Sequence, residues 1–529
     1  MDSEVESCSS KGCLLLLLHA HLPFARNPEV DVSLSERWYF QAINEVYIPH
    51  LKLFSRLYKD KVPFRITYSL SPTLLMMFQD AFLNERYLEY MDKMILLAEK
   101  EVKRTDLCEN SALHELSESY LNNFKSLKRT FVGEYDQDLA GAFKVLSEQG
   151  CLELITTSVT HAYLPLYKKY PNAISAQVEA GVECFEKIMG FAPEGFWLPE
   201  CGYFKGIEDV LKSNGIRYFF LEGHAVSESK NAQYSPVACS NGVVGFGRDE
   251  LSSSSVWDSK SGYPSDIDYR EYYNDIGFDL TIDELSPLIV DQSERSNTGI
   301  KYLSVSGKAE GKSLYSVSKA ANKVEVHARD FILKKRSQIL KEQTKMGLPP
   351  VIVAPYDAEL FGHWWHEGVD WLEKVIRYSV KDQGDYSLVT GSDYLRENSV
   401  FQCIQPIASS WGENASNEFW INEENDWMYP YLFQASEDLN ELKISRNLSK
   451  RNSLIERALR QAQSLLFLAQ ASDLAFMVRA KTTSDYAIQR FKELLSRFYY
   501  LKDLIEKNKL NVELMDKLEE LDKFPCQSK

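Results

Sequence analysis

Two apolar runs end on an acid. GFWLPE, residues 195–200, closes on Glu200, and VIVAPYDAELFGHWW, residues 351–365, turns on Asp357. Each reads as a buried strand with a carboxylate at its C-terminal end and aromatic residues beside it. In a parallel β/α barrel the strand ends form the reactive face. Two carboxyls in a tryptophan-lined cleft are the arrangement that cleaves glycosidic bonds. A carboxylate nucleophile at Glu200 needs hydrogen-bond donors to stay ionised, and the histidines or Arg248 are the candidates. Around Asp357 stand Tyr356, Glu359, His363, Trp364 and Trp365. Apolar aromatic walls raise a carboxyl's pKa, as a proton donor requires.

His19 and His21 follow the run CLLLLL. Alternate residues on a strand face opposite sides, but the twist at a strand end can turn both into a cleft. The pair reads as sugar-hydroxyl or carboxylate contacts, or as two metal ligands. No third residue completes a metal motif, so no metal and no cofactor is expected. His161, in SVTHAYLP, and His224, in LEGHAV, each read as a cleft contact or a core histidine. Trp371 lies in a helix-period stretch and reads as core. Trp38, Trp411, Trp420 and Trp427 stand in polar, loop-like contexts and read as stacking platforms for sugar rings.

The elements that must position these residues alternate. Strands are expected at 13–21, 64–70, 151–158, 195–200, 216–224, 351–359 and from 386, about seven in all. Helix-period stretches fall at 42–58, 84–148, 173–190, 207–215 and 319–345. Continuous apolar strands alternating with helices imply parallel strands buried on both faces. Ser71-Pro72 reads as a helix cap with Pro at the first helical position, and Gly190 as a C-cap. An open doubly wound sheet fits the same rhythm, but no Gly-rich phosphate motif follows any strand. Residues 225–320 read as long loops and short strands, the kind of excursion that is usually functional. From about 402 the strand signals stop and helical spacing takes over at 452–470 and 485–506. The expected organisation is a barrel over 13–400, interrupted by a small inserted subdomain at 201–262, and an all-helical domain over 401–525. The tails 1–11 and 522–529 are expected to fray.

The 529 residues carry a net charge of −16, which argues against nucleic acid or an anionic membrane as partner. A neutral sugar is not excluded. Nine cysteines with no CxxC pair read as reduced thiols in a cytoplasmic protein. The run Leu14–Leu18 is too short, and follows too acidic a start, for a secretory leader. No apolar stretch reaches the length of a membrane span. The oligomeric state is not legible, and a monomer fits.

HAHLPF, THAYLP, GFWLPECGY, APYDAELFGHWWHEG and SSWGENASNEFWINEENDWMY occur in that order. Together they resemble the five short conserved regions of glycoside hydrolase family 57. The segments ERWYFQAINEVYIP, VVGFGRD, GYPSDIDYREYYNDIG and QASDLAFM extend the resemblance over roughly 13–505. Among its members the chain is most similar to the 1,4-α-glucan branching enzymes. The resemblance implies an incomplete (β/α)7 barrel with a small insertion and a helical domain packed on the cleft. It also implies an α-glucan substrate, retention of configuration and no required metal. Carried over by motif, Glu200 is the nucleophile and Asp357 the general acid/base, with His19, His21, Trp38, His161, Trp411, Trp420 and Trp427 along the subsites. One departure concerns the loop HAVSESKNAQYSP, which is shorter than in many branching members. Tyr234 is its only aromatic, and a short lid is expected to admit water and raise the hydrolytic share. The alternatives are an α-amylase or 4-α-glucanotransferase of the same family and a non-catalytic glucan-binding protein. A metal-dependent polysaccharide deacetylase is disfavoured, because the chain lacks the His-x3-His and Asp-Asp motifs.

Overall fold

The computed structural model describes residues 11–258, 260–292, 295–305, 313–381, 385–412, 415–447 and 453–524. Ten strands occur in chain order: β1 Cys13–Ala20, β2 Ile66–Leu70, β3 Leu152–Thr157, β4 Gly195–Trp197, β5 Tyr218–Leu221, β6 Val237–Ala238, β7 Val244–Gly247, β8 Val351–Asp357, β9 Ser387–Leu388 and β10 Gln402–Cys403. Seven of them form one continuous parallel ladder, in the order β7-β5-β4-β3-β2-β1-β8. The ladder does not close between its two ends. A backbone hydrogen bond from Asp249 N to Val353 O, 2.8 Å, spans the seam. The architecture is therefore the expected incomplete (β/α)7 barrel.

The alternation of each strand explains the unbroken apolar runs. Leu14, Leu16 and Leu18 of β1 pack outward into the large core shared with the helices, while Cys13, Leu15 and Leu17 belong to a separate inner cluster with Ile155, Trp197, Phe220, Phe246, Val351 and Val353. Both faces of β1 are dry, so every position must be apolar until the strand ends. The same parity carries chemistry to the rim. Positions 13, 15 and 17 point inward, so His19 follows; 351 and 353 point inward, so Asp357 follows. His19 lies in register with both Ser69 and Asp357.

Two sequence expectations change. The seventh parallel strand is β7, VGFG, inside the stretch read as long loops and short strands, where its glycines kept it from being counted as a barrel strand. A Cβ on Gly245 would stand 2.6 Å from Leu221 Cδ2, so close packing on β5 requires glycine there. The stretch from 386 contributes only β9, two residues beside β1, before the helix Gly391–Glu397. Residues 201–262 hold β5 and β7, so they are part of the barrel wall and not an insertion into it.

Ser71 caps the helix Pro72–Phe78 by accepting from Leu74 N, and Gly190 ends the helix Pro171–Met189 in the left-handed region, both as expected. The C-terminal region is helical: Met428–Asn447, Ser453–Ala469, Ser472–Ala480, Ser484–Glu506 and Val512–Leu521. It docks on the loop after β3 and on the helix Pro171–Met189 that follows it. Thr160 Oγ1 donates to Phe467 O at 2.6 Å, Ser472 N donates to His161 O at 3.2 Å, and Gln177 Nε2 donates to Gln470 Oε1 at 2.9 Å. Of the tails, residues 1–10 and 525–529 lie outside the described residues. Asp522 and Phe524 are buried, Phe524 edge-on against Phe24 at 5.1 Å, so the chain is tied down almost to its end.

Candidate active site

Glu200 stands just past β4, in the short turn Pro199–Cys201, with φ 61° and ψ 24°. A left-handed glutamate costs of order 1–3 kcal/mol and persists only where the surroundings hold it. Trp411 does so twice: its backbone N–H donates to Glu200 O at 3.0 Å, and its indole Nε1–H donates to Glu200 Oε2 at 2.8 Å. Ser472 Oγ donates to the other oxygen at 3.0 Å, and His161 Nδ1 lies 3.7 Å away. The donors at Glu200 thus come from Trp411, on the loop that precedes the C-terminal helices, and from Ser472, at the start of one of them. Arg248, one of the expected donors, turns elsewhere. Burial pushes the Glu200 carboxyl up to about 7, against the pull of the Trp411 and Ser472 hydrogen bonds.

Asp357 ends β8. Burial, with the carboxylates of Glu359 and Glu200 nearby, holds it well above the usual carboxylate range, and Arg248 opposes the rise. That environment favours the protonated form of the acid. Arg248 donates to Glu222 Oε1 at 2.7 Å and to Ser253 Oγ at 2.6 Å, and its guanidinium sits 5.5 Å from the centre of the Trp411 ring. Glu359 is a third carboxyl in the cleft, pushed up to about 7 by burial while Tyr47 donates to it at 2.6 Å.

Behind the carboxyls lie three histidines. Burial and the neighbouring His21 hold His19 well below its ordinary value, and burial with both neighbours does the same to His161. His21 behaves oppositely: burial disfavours its charge, but Asp473, 3.0 Å from Nε2, with Glu359 and Glu200, raises it. The site therefore pairs one chargeable imidazole with two neutral ones.

The cleft holds about 520 Å³. Nine of the residues expected from sequence line it: Glu200, Asp357, His19, His21, His161, Arg248, Trp364, Trp411 and Trp420. Trp364 is half exposed and stacks on Tyr272 at 4.5 Å, while Trp420 is buried against Tyr163 at 4.4 Å. Gly362 permits the turn that presents Trp364: its φ is 116°, and a Cβ there would meet Glu45 O at 1.8 Å.

Four expected residues are not brought to the cleft. Trp38 packs edge-on against Tyr486 at 5.8 Å, and Trp427 against Phe491 at 5.4 Å, its indole donating to Glu424 O. His224 sits on the turn Gly223–Val226 beside Glu222. Tyr234 ends the turn Ala232–Tyr234 and leans toward Gln338 and Asp249, so it does not cover the carboxyls. Trp371 is core, as read, lying 5.8 Å from Phe361 and nearly parallel to it. Sequence reasoning noted Glu359 beside Asp357 but gave it no role, and it missed Trp257, Phe419, Ser472, Asp473 and Phe476. Ser472, Asp473 and Phe476 lie in QASDLAFM, a helix whose partners are hundreds of residues away. Among the described residues, no group of three or more His, Cys, Asp or Glu side chains is arranged to hold a metal ion.

A carboxyl pair and tryptophans at the C-terminal rim of an incomplete parallel barrel define a class, the glycoside hydrolases. The model of Glycosyl hydrolase family 57 matches residues 15–405, and the chain belongs to that family. A second model, 1,4-alpha-glucan branching enzyme, C-terminal, matches residues 432–525. A 1,4-alpha-glucan branching enzyme of Thermococcus kodakarensis is 30% identical over 97% of this chain and 77% of its own length. A probable 1,4-alpha-glucan branching enzyme of Mycobacterium tuberculosis is 26% identical over 90% and 89%. Among solved structures, the alpha-amylase AmyC of Thermotoga maritima superposes with a TM-score of 0.88 at 39% identity, covering 97% of both chains. The Thermococcus kodakarensis branching enzyme gives 0.86 at 30%, covering 97% and 94%.

Proposed function

We propose that the protein is a retaining enzyme acting on α-glucans, and that its main reaction is 1,4-α-glucan branching. Glu200 attacks the anomeric carbon of an α-1,4 bond while Asp357 protonates the leaving oxygen, giving a covalent glycosyl-enzyme. Asp357 then takes the proton of a 6-hydroxyl on another chain, and that oxygen displaces Glu200 to form an α-1,6 branch. Water in place of the hydroxyl gives hydrolysis. The elevated proton affinity of Asp357 suits the acid of the first step. The Trp411 and Ser472 donors suit a carboxylate that must bear charge.

One observation carries branching over hydrolysis. The helical region, matched by a branching-enzyme family model, builds a wall of the cleft and supplies Ser472, Asp473 and Phe476 to it. A second reading, a predominantly hydrolytic α-glucanase, is favoured by the similarity to the Thermotoga maritima amylase and by the position of Tyr234 away from the cleft. The seven described cysteines are all free, which suits a reducing cytoplasm. No helix among the described residues is long and apolar enough to cross a membrane.

The test is incubation with amylose, counting α-1,6 linkages by proton NMR and new reducing ends by colorimetry, beside Glu200→Gln. Branches outnumbering reducing ends support branching. Reducing ends without branches establish the amylase reading, and no Glu200-dependent change removes both.

A further inference from the structure

The carboxyl of Glu200 ends a chain of hydrogen bonds that runs back into the barrel. Ser472 Oγ lies 3.0 Å from Glu200 Oε1 and 3.0 Å from His161 Nδ1. His161 Nε2 meets His19 Nε2 at 3.0 Å, and His19 Nδ1 meets Ser69 Oγ at 3.0 Å. The two imidazoles are 23° from coplanar with centroids 5.0 Å apart. With their Nε2 atoms 3.0 Å apart, that is the edge-to-edge pose of an N–H···N hydrogen bond. Ser69, His19, His161 and Ser472 are all buried.

Hydrogen counting gives the chain a direction. Each neutral imidazole has one N–H and each serine one O–H. Two imidazoles meeting Nε2 to Nε2 share a single hydrogen, and that choice fixes every other link. In one arrangement Ser69 donates to His19, His19 to His161, His161 to Ser472, and Ser472 to an ionised Glu200. In the other, all four hydrogens turn round: His161 Nδ1 accepts from Ser472, Ser472 must accept from a protonated Glu200, and His19 Nδ1–H points at Ser69. There the Ser69 hydroxyl hydrogen is left buried, since His19 is its one side-chain partner among the described residues. An orphaned buried donor is costly. Ionisation releases the Glu200 proton to the open cleft and leaves the first arrangement.

We infer that Ser69, His19, His161 and Ser472 form a directional hydrogen-bond relay that favours the ionised form of Glu200, with Ser69 as the positioning residue that sets its direction. Its use in catalysis rests on the reading of Glu200 as nucleophile. The neutrality that the relay requires of His19 and His161 agrees with the burial that holds both well below their ordinary values. Other groups face Glu200 as well: His21 from the end of β1, Asp357 from β8, Asp473 from the helix Ser472–Ala480, and Tyr163 and Cys201 alongside. None of them touches Ser69, so a change at that serine isolates the relay.

The test reads the Glu200 carboxyl by infrared difference titration without substrate, subtracting Glu200→Gln in each background, and then the acid limb of kcat/KM on amylose. Ser472→Ala removes a donor to a charged group, so the midpoint is expected to rise by about one pH unit. Ser472→Thr keeps a hydroxyl and is expected to restore it. Ser69→Ala is expected to raise the midpoint in the same direction without contact to Glu200. Thr67 lies two residues earlier on the same inward face, its buried hydroxyl unpartnered, so Thr67→Val is the control and leaves the midpoint in place. A Glu200 midpoint that does not move in Ser69→Ala, or that moves equally in Thr67→Val, overturns the relay. If the midpoints move as expected and amylose is untouched by the wild type, the relay stands and the proposed function fails. If amylose is turned over and the midpoints stay, the reverse holds.

Discussion

Replacing Glu200 by glutamine should stabilise the protein, and only at neutral and alkaline pH. Burial raises the carboxyl from its ordinary 4.5 to about 7 in the folded state. A group with a raised folded pKa binds its proton more tightly folded than unfolded, so its contribution to stability is fully present below the unfolded value and is lost as pH rises through the folded one. The shift of about 2.5 units corresponds to about 3 kcal/mol once the carboxyl is ionised in both states, near pH 8. The side chain is 15% exposed, so solvent screening trims this little. Glutamine removes the buried charge while its carbonyl can still accept from Trp411 or Ser472. An unfolding entropy of about 1.1 kcal/mol/K for 529 residues converts the gain to about 3 °C, more if the barrel melts alone. Thermal melts of both proteins across about pH 4–9 measure it: the difference should open between about pH 4.5 and 7 and then level off. A difference independent of pH, or a variant that loses stability relative to wild type between about pH 5 and 8, refutes the claim that Glu200 is held against its charge.

Other outcomes follow from the same geometry. Trp411→Phe keeps a ring but removes the indole donor to Glu200; kcat/KM on amylose should fall by about 10- to 100-fold, with the acid limb moving to higher pH. Asp357→Asn removes the proton donor and should lower kcat by about 10²–10⁴-fold, while the alkaline limb of the wild-type profile should lie well above an ordinary carboxylate. Asp473→Asn removes the carboxylate that supports charge on His21, so the His21 resonance should titrate at lower pH than in wild type. Leu17→Ala opens the inner barrel cluster and should cost about 2–5 kcal/mol in denaturant melts without changing the pH profile.

The fold was legible where strands are buried on both faces, because nothing but apolar residues fits there. CLLLLLHA and VIVAPYD declare themselves as buried strands; the structure makes them neighbours, and their shared parity carries His19 and Asp357 to the same rim. It was less legible where close packing replaces side chains with glycine: β7, in a stretch of long loops and short strands, does not read as a barrel strand because Gly245 leaves room for Leu221. The tryptophans show a limit of another kind. Trp411 and Trp427 both stand in polar contexts in sequence, yet one binds the Glu200 carboxyl and the other packs on Phe491. Local polarity does not distinguish an indole that faces a cleft from one that faces a neighbouring helix.

The acids themselves were readable because each ends an apolar strand, but their environment was not, because it is assembled from distant sequence. Ser472 reaches Glu200 across 272 positions and Asp473 reaches His21 across 452. Those two adjacent residues have opposite effects on the cleft: Ser472 donates to a carboxylate and favours its charge, while Asp473 adds a negative field that raises Glu200 and supports a cation at His21. A rotation or shift of the helix Ser472–Ala480 would change both together, so the docking of the C-terminal region contributes to the charge balance of the barrel's reactive rim. Separate deletion of that region should therefore leave a barrel whose Glu200 lacks the Ser472 donor and whose His21 lacks its counter-charge. Such a barrel would retain both proposed catalytic acids and still be the wrong chemical environment for them.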